Sequence, residues 1–464
     1  MSKHTCPTCL DDFDQKAKLT RHLNKKVKCK ASSTVTALLQ ANPIQITPVG
    51  PFREASLKMN KEIDQITRQD QGIFFTPKDA RQLAFEKLKE FGLTSPQAIL
   101  EPSCGTGEFI EDALVEFPNS SITGVEMNTK IFSTLKPNPR VSLINDDFTL
   151  YKGAQFDLVI GNPPFSLKGV AKNINCMNGR PNLYVLFLYK CLAEHLKPDG
   201  FLAFVLPTSF FNCSYYEEMR NYIFHHCSIK YLEELDVSYH ETTQDTMLIV
   251  IQNCKDPQHN YFFERNGCKF ISPFFRELKE LVKGTSTLEQ LGFTVKTGDV
   301  VWNQCKKQLC DKDADATILI YSSNIKNGTL VFDNIVDKKG EKKQYIKKLD
   351  RPEESKEARA TRLASDNKKL PDIMNTDPVQ GPAIVVNRGY GNTYSLSFAE
   401  VTLDQFYAEN HVNMILPSND DAKKKIPDVL KSLGSNRTKK FIDWFVGKGA
   451  MSKTEVEKVL PIFS

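Results

Sequence analysis

An α/β fold built on a doubly wound parallel sheet is what this sequence predicts. Three observations carry that expectation. Between residues 72 and 255, short apolar runs alternate with amphipathic stretches at helical spacing. The runs lack the polar alternation of half-exposed strands, so they read as strands covered on both faces. The polar, glycine- or proline-bearing segments that could do chemistry all fall at the C-terminal ends of those strands, where open α/β sheets bind their ligands.

Residues 72–92, GIFFTPKDARQLAFEKLKEFG, turn at Thr76-Pro77 and continue as a helix with Leu83, Ala84, Leu88 and Phe91 on one face. AILEPSCGTGEFIEDAL follows: a strand from Ala98 to Leu100, a loop from Glu101 to Gly107, then a helix. Gly105 and Gly107 allow a backbone to approach a ligand closely. The loop is neither GxGxxG nor a GKS/GKT phosphate loop, which disfavours a dinucleotide or a nucleoside triphosphate. SITGVEMN gives a second strand ending at Glu126, about 20 residues past the glycines, where a carboxylate can accept from two ribose hydroxyls. RVSLINDDF ends a third strand at Asp146-Asp147-Phe148, and FDLVIGNPPF ends a fourth at Asn162-Pro163-Pro164-Phe165. A helix over NLYVLFLYKCLAEHL and strands over FLAFVLP, IKYLEEL and TMLIVIQN complete the pattern. An ordinary turn explains any one of these polar segments. Four in order along one sheet are better explained by a site.

The chain has 464 residues, too many for one core, with ordinary hydrophobic (40%) and charged (25%) fractions. No apolar run reaches the roughly 18 residues that span a bilayer, and MSKHTCPTC has no signal core, so a cytoplasmic protein without membrane contact is expected. Most of the twelve cysteines stand singly in apolar surroundings, as in a reducing compartment. The net charge is +5, and residues 1–30 hold eight Lys/Arg against three Asp, the whole of that excess. A basic module ahead of a near-neutral body suggests a polyanion.

That module reads C-x2-C, x12, His, x6, Cys: Cys6, Cys9, His22 and Cys29 supply four ligands for a structural zinc ion. With Phe13 and Leu19 as a small core, it resembles a C2H2-type finger whose last histidine is a cysteine. The x6 gap exceeds the usual x3–5, and His4 is a bystander. One finger is an auxiliary grip on nucleic acid or protein.

Together, GIFFTP, EPSCGTGEF, GVEMN, NDDF and NPPF resemble the S-adenosylmethionine-dependent DNA adenine-N6 methyltransferases. Their order is similar to that of the gamma class from Type II restriction-modification systems. The resemblance spans about residues 60–464 and is strongest over 72–255. It implies a Rossmann-like class I methyltransferase domain, followed by a mixed α+β target-recognition domain and preceded by the finger. The expected divisions are a zinc finger at 1–31, a linker at 32–60, the catalytic domain at 61–255, a connector at 256–284 and DNA target recognition at 285–464. By the resemblance, Thr76 and the loop Glu101, Pro102, Ser103, Cys104, Gly105 and Gly107 hold the methionine end of the cofactor. Glu126 takes the ribose hydroxyls, Asp147 (or Asp146) accepts from the adenine amine, and Phe148 packs on that adenine. Phe165 replaces the commoner tyrosine of NPPY.

The chemistry of NPPF follows from the acceptor. An exocyclic amine conjugated into a base is a poor nucleophile. Hydrogen bonds to both its N–H groups draw the nitrogen toward sp3, and this needs two acceptors at a fixed angle. Asn162 offers its side-chain carbonyl and Pro163 its backbone carbonyl, while Pro164 stiffens the loop. A base within a duplex must be flipped out to reach them. Phe165 stacks on it, with Tyr239, or else His240, as a second ring.

Beyond residue 285, Arg388 in NRGYGN, Trp302 and Tyr390 are candidate DNA contacts, and AKKK at 422–425 and RTKK at 437–440 could meet phosphates. The expected partner is double-stranded DNA, met by a monomer in the cytoplasm of a bacterium or of a virus-infected host. Such fingers look like those of large DNA viruses of eukaryotes. A separate cognate restriction endonuclease is the one protein partner this reading admits, since the chain shows no nuclease pattern of its own. An RNA adenine methyltransferase, a protein-glutamine methyltransferase and a non-catalytic zinc-finger DNA binder are the alternatives. Protein-glutamine enzymes carry their extra region ahead of the glycine loop, whereas here about 200 residues follow it.

Overall fold

The computed structural model describes residues 52–166, 176, 182–235, 245–326, 328–332, 335–337, 340–347, 377–388, 395–446 and 451–463, with two short strands ahead of them. It divides into Met1–Arg53 and Glu54–Ser464. In the first unit His4–Thr5 pairs antiparallel with Asp12–Phe13, so Cys6 and Cys9 fall in the segment joining the two strands. Cys6, Cys9, His22 and Cys29 themselves lie outside the described residues.

The second unit opens with α1 (Glu54–Glu62), which occupies the end of the stretch expected as linker, and α2 (Gln65–Gln71). Asp64 caps α2 by accepting from Thr67 N, and Gly72 closes it in the left-handed conformation. Then come α3 (Lys78–Glu90), β1 (Ala98–Glu101), α4 (Glu108–Glu116), β2 (Ser121–Val125), β3 (Val141–Ile144) and β4 (Phe156–Gly161). Helix α5 (Leu183–Lys190) runs on through a π turn to His195 and is followed by β5 (Leu196–Pro207), α6 (Glu217–His226), β6 (Cys227–Leu235) and β7 (Thr246–Asn253).

These strands form one seven-stranded sheet in the order β3-β2-β1-β4-β5-β7-β6. The first five are parallel; β7 runs antiparallel to both β5 and β6. The sheet is therefore mixed rather than wholly parallel. The reason is chain length: ten residues join β6 to β7, fewer than the dozen or more that a parallel crossover needs. From β1 the chain winds outward to β2 and β3, then returns to β4 on the other side. β1 and β4 are thus neighbours at the switch point, and their C-terminal loops are the glycine loop and GNPPF.

Two cores flank the sheet. Phe85, Ile99, Phe109, Leu158 and Val250 are buried on one face, and Leu100, Val159, Tyr184, Leu188 and Phe204 on the other. The stretch expected as a connector is a hairpin, β8 (Phe262–Arg265) with β9 (Cys268–Ile271), followed by α7 (Phe275–Leu281). Strand alternation divides its side chains. Phe262 and Ile271 enter a core of the seven-stranded sheet, whereas Phe263 and Phe270 enter the core of the C-terminal half.

The C-terminal half holds an antiparallel sheet of β10 (Phe293–Thr297), β12 (Ala383–Asn387), β13 (Phe398–Val401) and β15 (Val412–Pro417), ordered β10-β15-β12-β13. A second, five-stranded mixed sheet of shorter strands centres on β11 (Ala316–Ile320), which pairs parallel with β14 (Gln405–Ala408). Helices α8 (Ile426–Leu433), α9 (Asn436–Phe445) and α10 (Lys453–Lys458) pack over the first sheet. Among the described residues no helix is long and apolar enough to cross a membrane.

Arg220, on α6, ties the two halves together. It is 1% exposed and donates to the carbonyls of Phe210 (2.9 Å), Cys213 (2.8 Å) and, across to the hairpin, Lys269 (2.7 Å). Arg220→Met would keep the bulk and strand these buried acceptors, each of which costs about 1–3 kcal/mol when left unpaired. A loss of roughly 3 kcal/mol or more is expected, read as a lower urea midpoint. Amide exchange should quicken across residues 262–271, and an unchanged midpoint would refute this role for the arginine.

Candidate active site

The site begins with the two loops at the switch point. The glycine loop turns through Gly105, whose φ of +54° is left-handed, and Gly107, at +83°, caps α4 and faces Leu135 rather than the cleft. Across the β1–β4 boundary, Ser103 Oγ donates to the backbone carbonyl of Asn162 at 3.2 Å. A third wall comes from the strap that leads out of α2, residues Gln71 to Thr76.

Between these walls lies a cleft of about 670 Å3, counted with its solvent-open mouth. It is lined by Gly72–Phe75 of the strap, by Pro102, Ser103 and Gly105, by Glu126, Asp146, Asp147 and Phe148, and by Asn162 and Pro164. A smaller recess of about 290 Å3 continues from it and is lined by Thr76, Glu101, Cys104, Thr106 and Glu108. Phe74, Phe75, Ser103, Gly105 and Asn162 line both. Of the residues expected to hold the methionine end of a cofactor, Thr76, Glu101, Ser103, Cys104 and Gly105 line the recess, whereas Pro102 lines the cleft and Gly107 lines neither; Glu126, Asp147 and Phe148, expected at its nucleoside end, line the cleft, and Asn162 stands where the two meet.

Three side chains show what the site can accept. Glu126 takes Gly105 N on Oε2 (2.9 Å) and Asn128 N on Oε1 (2.7 Å). A carboxylate has about four lone-pair directions, so each oxygen keeps one for a hydroxyl. Burial pushes the Glu126 carboxyl above its usual range, although these two N–H donors oppose the shift. Glu101 is buried at 3% exposure, and its Oε2 meets no hydrogen-bond partner among the described residues. Burial, and next the neighbouring Glu108 carboxylate, hold the Glu101 carboxyl well above the ordinary value, opposed by Arg81. A buried carboxyl with an orphaned oxygen is a receptor for a cation. Asn162 donates from Nδ2 to the Phe74 carbonyl at 3.2 Å, and its buried Oδ1 meets no partner among the described residues.

Asp147 accepts from Thr149 N at 2.8 Å as the cap of a 3-10 turn, and Asp146 is exposed. Phe148 is buried among Tyr151, Phe187 and His195, with ring centroids 4.8–5.8 Å away. Pro163 is buried and is not among the residues that line the cleft or the recess. Phe165 is half-buried, 6.4 Å from Phe74 and edge-on to Tyr184 at 5.7 Å. Arg388 directly follows β12 and donates through Nη1 to the Asn410 carbonyl at 3.0 Å. Trp302 lies between Lys306 and Lys342, whose amines are 5.6 and 5.1 Å from its ring centre. Tyr239, His240 and Tyr390 lie outside the described residues.

Sequence reasoning missed a layer beneath the site. Arg81, 2% exposed, donates to the Thr76 carbonyl, to Glu108 (3.0 Å) and to Asp112 (2.6 Å). Ser56 of α1 donates to Glu108 at 2.6 Å and lies 2.7 Å from the Thr106 hydroxyl. The signal was available: Arg81 shares the buried face of α3 with Ala84, Phe85 and Leu88, and an arginine on such a face must have partners.

Comparison with known proteins agrees with this architecture. Residues 56–239 match the Eco57I restriction-modification methylase family. The modification methylase CviBIII of Paramecium bursaria Chlorella virus NC1A is 30% identical over 421 residues, 89% of this chain and 100% of that protein. The Type II methyltransferase M.CvrRI of Paramecium bursaria Chlorella virus XZ-6E is 29% identical over 89% of this chain and 99% of its own length. M.HincII of Haemophilus influenzae, also a Type II methyltransferase, matches over 36% of the chain at 28% identity. The chain belongs to the Type II restriction-modification methyltransferases.

Such methyltransferases act on DNA and draw their methyl group from S-adenosylmethionine, and the residues here fit that cofactor. The orphaned Glu101 oxygen suits its ammonium group, and the two spare directions on Glu126 suit its ribose hydroxyls. Among the described residues no cluster of His, Cys, Asp or Glu could hold a metal ion.

Glu101 carries a testable cost. Its folded-state value lies above its unfolded one, so its contribution to stability is full below the ordinary glutamate range and is lost as pH rises through the folded value. Glu101→Gln removes that loss. The cofactor-free variant should melt above wild type by a margin that widens with pH, while equilibrium dialysis shows cofactor affinity down about tenfold or more. Equal melting and unchanged affinity would refute the assignment.

Proposed function

We propose that this methyltransferase moves a methyl group from S-adenosylmethionine to the N6 amine of an adenine flipped out of duplex DNA. The observation that carries the reading is Asn162 Oδ1, a buried acceptor without a partner at the junction of cleft and recess. When bound, the cofactor supplies an electrophilic methyl group on a positively charged sulfur. The chain's own residues do the rest. Asn162 Oδ1 and the Pro163 carbonyl accept the two amine protons' hydrogen bonds and draw the nitrogen lone pair out of conjugation; once that lone pair carries the methyl group, the nitrogen gives up one proton to solvent and a neutral thioether remains of the cofactor. Pro163 and Pro164 hold that pair of acceptors rigid, so little reorganisation accompanies transfer. Glu101 and Thr76 hold the methionine end, and Glu126, Asp147 and Phe148 the nucleoside end. Phe165 stacks on the extruded base, with Tyr239 as the second ring. A base without a duplex partner needs no flipping, so a mismatched target should react faster than a paired one.

Asn162→Ala tests the mechanism. It should abolish transfer of tritiated methyl to duplex DNA and leave cofactor affinity within a few-fold, whereas loss of both would point to misfolding. Hydrolysed wild-type product should contain N6-methyladenine. N4-methylcytosine in its place, or label on RNA or protein alone, would overturn the adenine reading.

For the C-terminal half we infer target recognition over residues 285–464, with Arg388, Trp302 and Tyr390 as DNA contacts. The lysine pair flanking Trp302 supports this, since cations beside an aromatic face suit a nucleic acid. For residues 1–31 we infer a structural zinc finger. The support is the ligand spacing and the strand pair that brackets Cys6 and Cys9. Metal analysis of the full chain should find one zinc per molecule, lost in Cys6→Ser with methylation of short duplexes retained. A zinc-free chain would refute it.

A further inference from the structure

Asparagine presents two ends of nearly equal size, and only one of them can serve as an acceptor. Which end faces the cleft is therefore a question of what stands behind it. Here the Phe74 carbonyl stands 3.2 Å from Nδ2. A carbonyl only accepts, so it pairs with the NH2 end and repels the oxygen. A flipped amide would set two oxygens together and turn donors toward an amine that needs acceptors.

The last turn of α2 and the strap that leaves it grip the loop at two further points. Ser166 Oγ donates to the Asp70 carbonyl at 2.6 Å. At Gly72, with φ +67°, an added Cβ would stand 2.6 Å from Phe165 N and 3.0 Å from the carbonyl carbon of Pro164. These are backbone atoms of the loop itself, so the loop would have to move. We propose that the segment Asp70–Phe74 is a positioning element for methyl transfer, fixing the Asn162 amide with its oxygen toward the cleft. This rests on the reading of Asn162 as the acceptor for the amine. It assigns to the strap a task apart from walling the cofactor cleft, which Gly72 and Phe74 also line.

The two tasks separate by kinetics. In the full chain, cofactor affinity is measured by equilibrium dialysis, and the transfer rate in a single turnover with cofactor and duplex DNA saturating. If the strap positions Asn162, Gly72→Ala lowers the single-turnover rate by about 100-fold, the scale of a 1 Å misplacement, while affinity shifts much less. Ser166→Ala, which removes one grip without strain, should lower the rate about tenfold with affinity unchanged. If Gly72→Ala instead loses affinity and transfers at the wild-type rate once saturated, the strap is only a wall and the proposal falls. Should Gly72→Ala fail to fold, Ser166→Ala decides: a wild-type rate overturns the proposal. The wild-type product identifies the methylated base independently. An amine other than adenine N6 would sink the adenine reading and leave the rate comparison valid.

Discussion

The hydrogen bond from Asn162 Nδ2 to the Phe74 carbonyl is a constraint on which much of the catalytic half converges. It requires a rigid loop on one side and a rigid strap on the other. The loop gains its rigidity from β4, buried within a parallel array, and from two prolines with fixed φ. The strap gains its rigidity from α2, closed by Gly72, and from Arg81, which reaches up from α3 to the Thr76 carbonyl. Sheet, helix cap and buried arginine thus serve one requirement, that an uncharged amide present the correct atom.

The electrostatics of the site run against stability. Glu101, Glu108, Asp112 and Glu126 gather around the glycine loop, and Arg81 is the cation that meets two of them. Among the described residues Glu101 forms no ion pair and its Oε2 meets no donor, although Arg81 lies near enough to oppose part of the upward shift. A fold selected for stability alone would replace it with a neutral side chain. Its presence is explained if a positively charged ligand completes the set. The cofactor is such a ligand, with an ammonium at one end and a sulfonium toward the centre. Cofactor binding and folding are then linked, and the cofactor stabilises most the part of the chain that lacks a partner without it.

Legibility in the sequence followed the kind of contact involved. The glycine loop, Glu126, NDDF and NPPF could be read because their chemistry needs particular side chains at strand ends, and the structure brings them around one cleft. The antiparallel β7 was also legible in principle, since ten residues are too few for a crossover. The work of Phe74 was not: its backbone carbonyl is the acceptor, and any residue has one. Gly72 carried no signal either, because nothing in the one-dimensional pattern says whose backbone lies against it. The hairpin at 262–271 read as a connector, because FFER and CKFI are too short to reveal two buried faces.

That hairpin changes how the two halves relate. A connector would leave catalytic and C-terminal halves as beads on a string, free to move against each other. Instead, Phe262 and Ile271 are part of one core and Phe263 and Phe270 of the other, so a single pair of strands is a wall of both. Arg220 fastens β9 to the catalytic side, and Asn266, at the hairpin turn, donates to the Lys458 carbonyl on the far side at 2.9 Å. Separating the halves would expose aromatic rings on both faces and strand buried carbonyls at once. On the proposed function, reading a target sequence and delivering one base to a fixed pair of acceptors would require the reader and the acceptors to share a frame. A pair of strands buried on both sides supplies that frame where a linker could not.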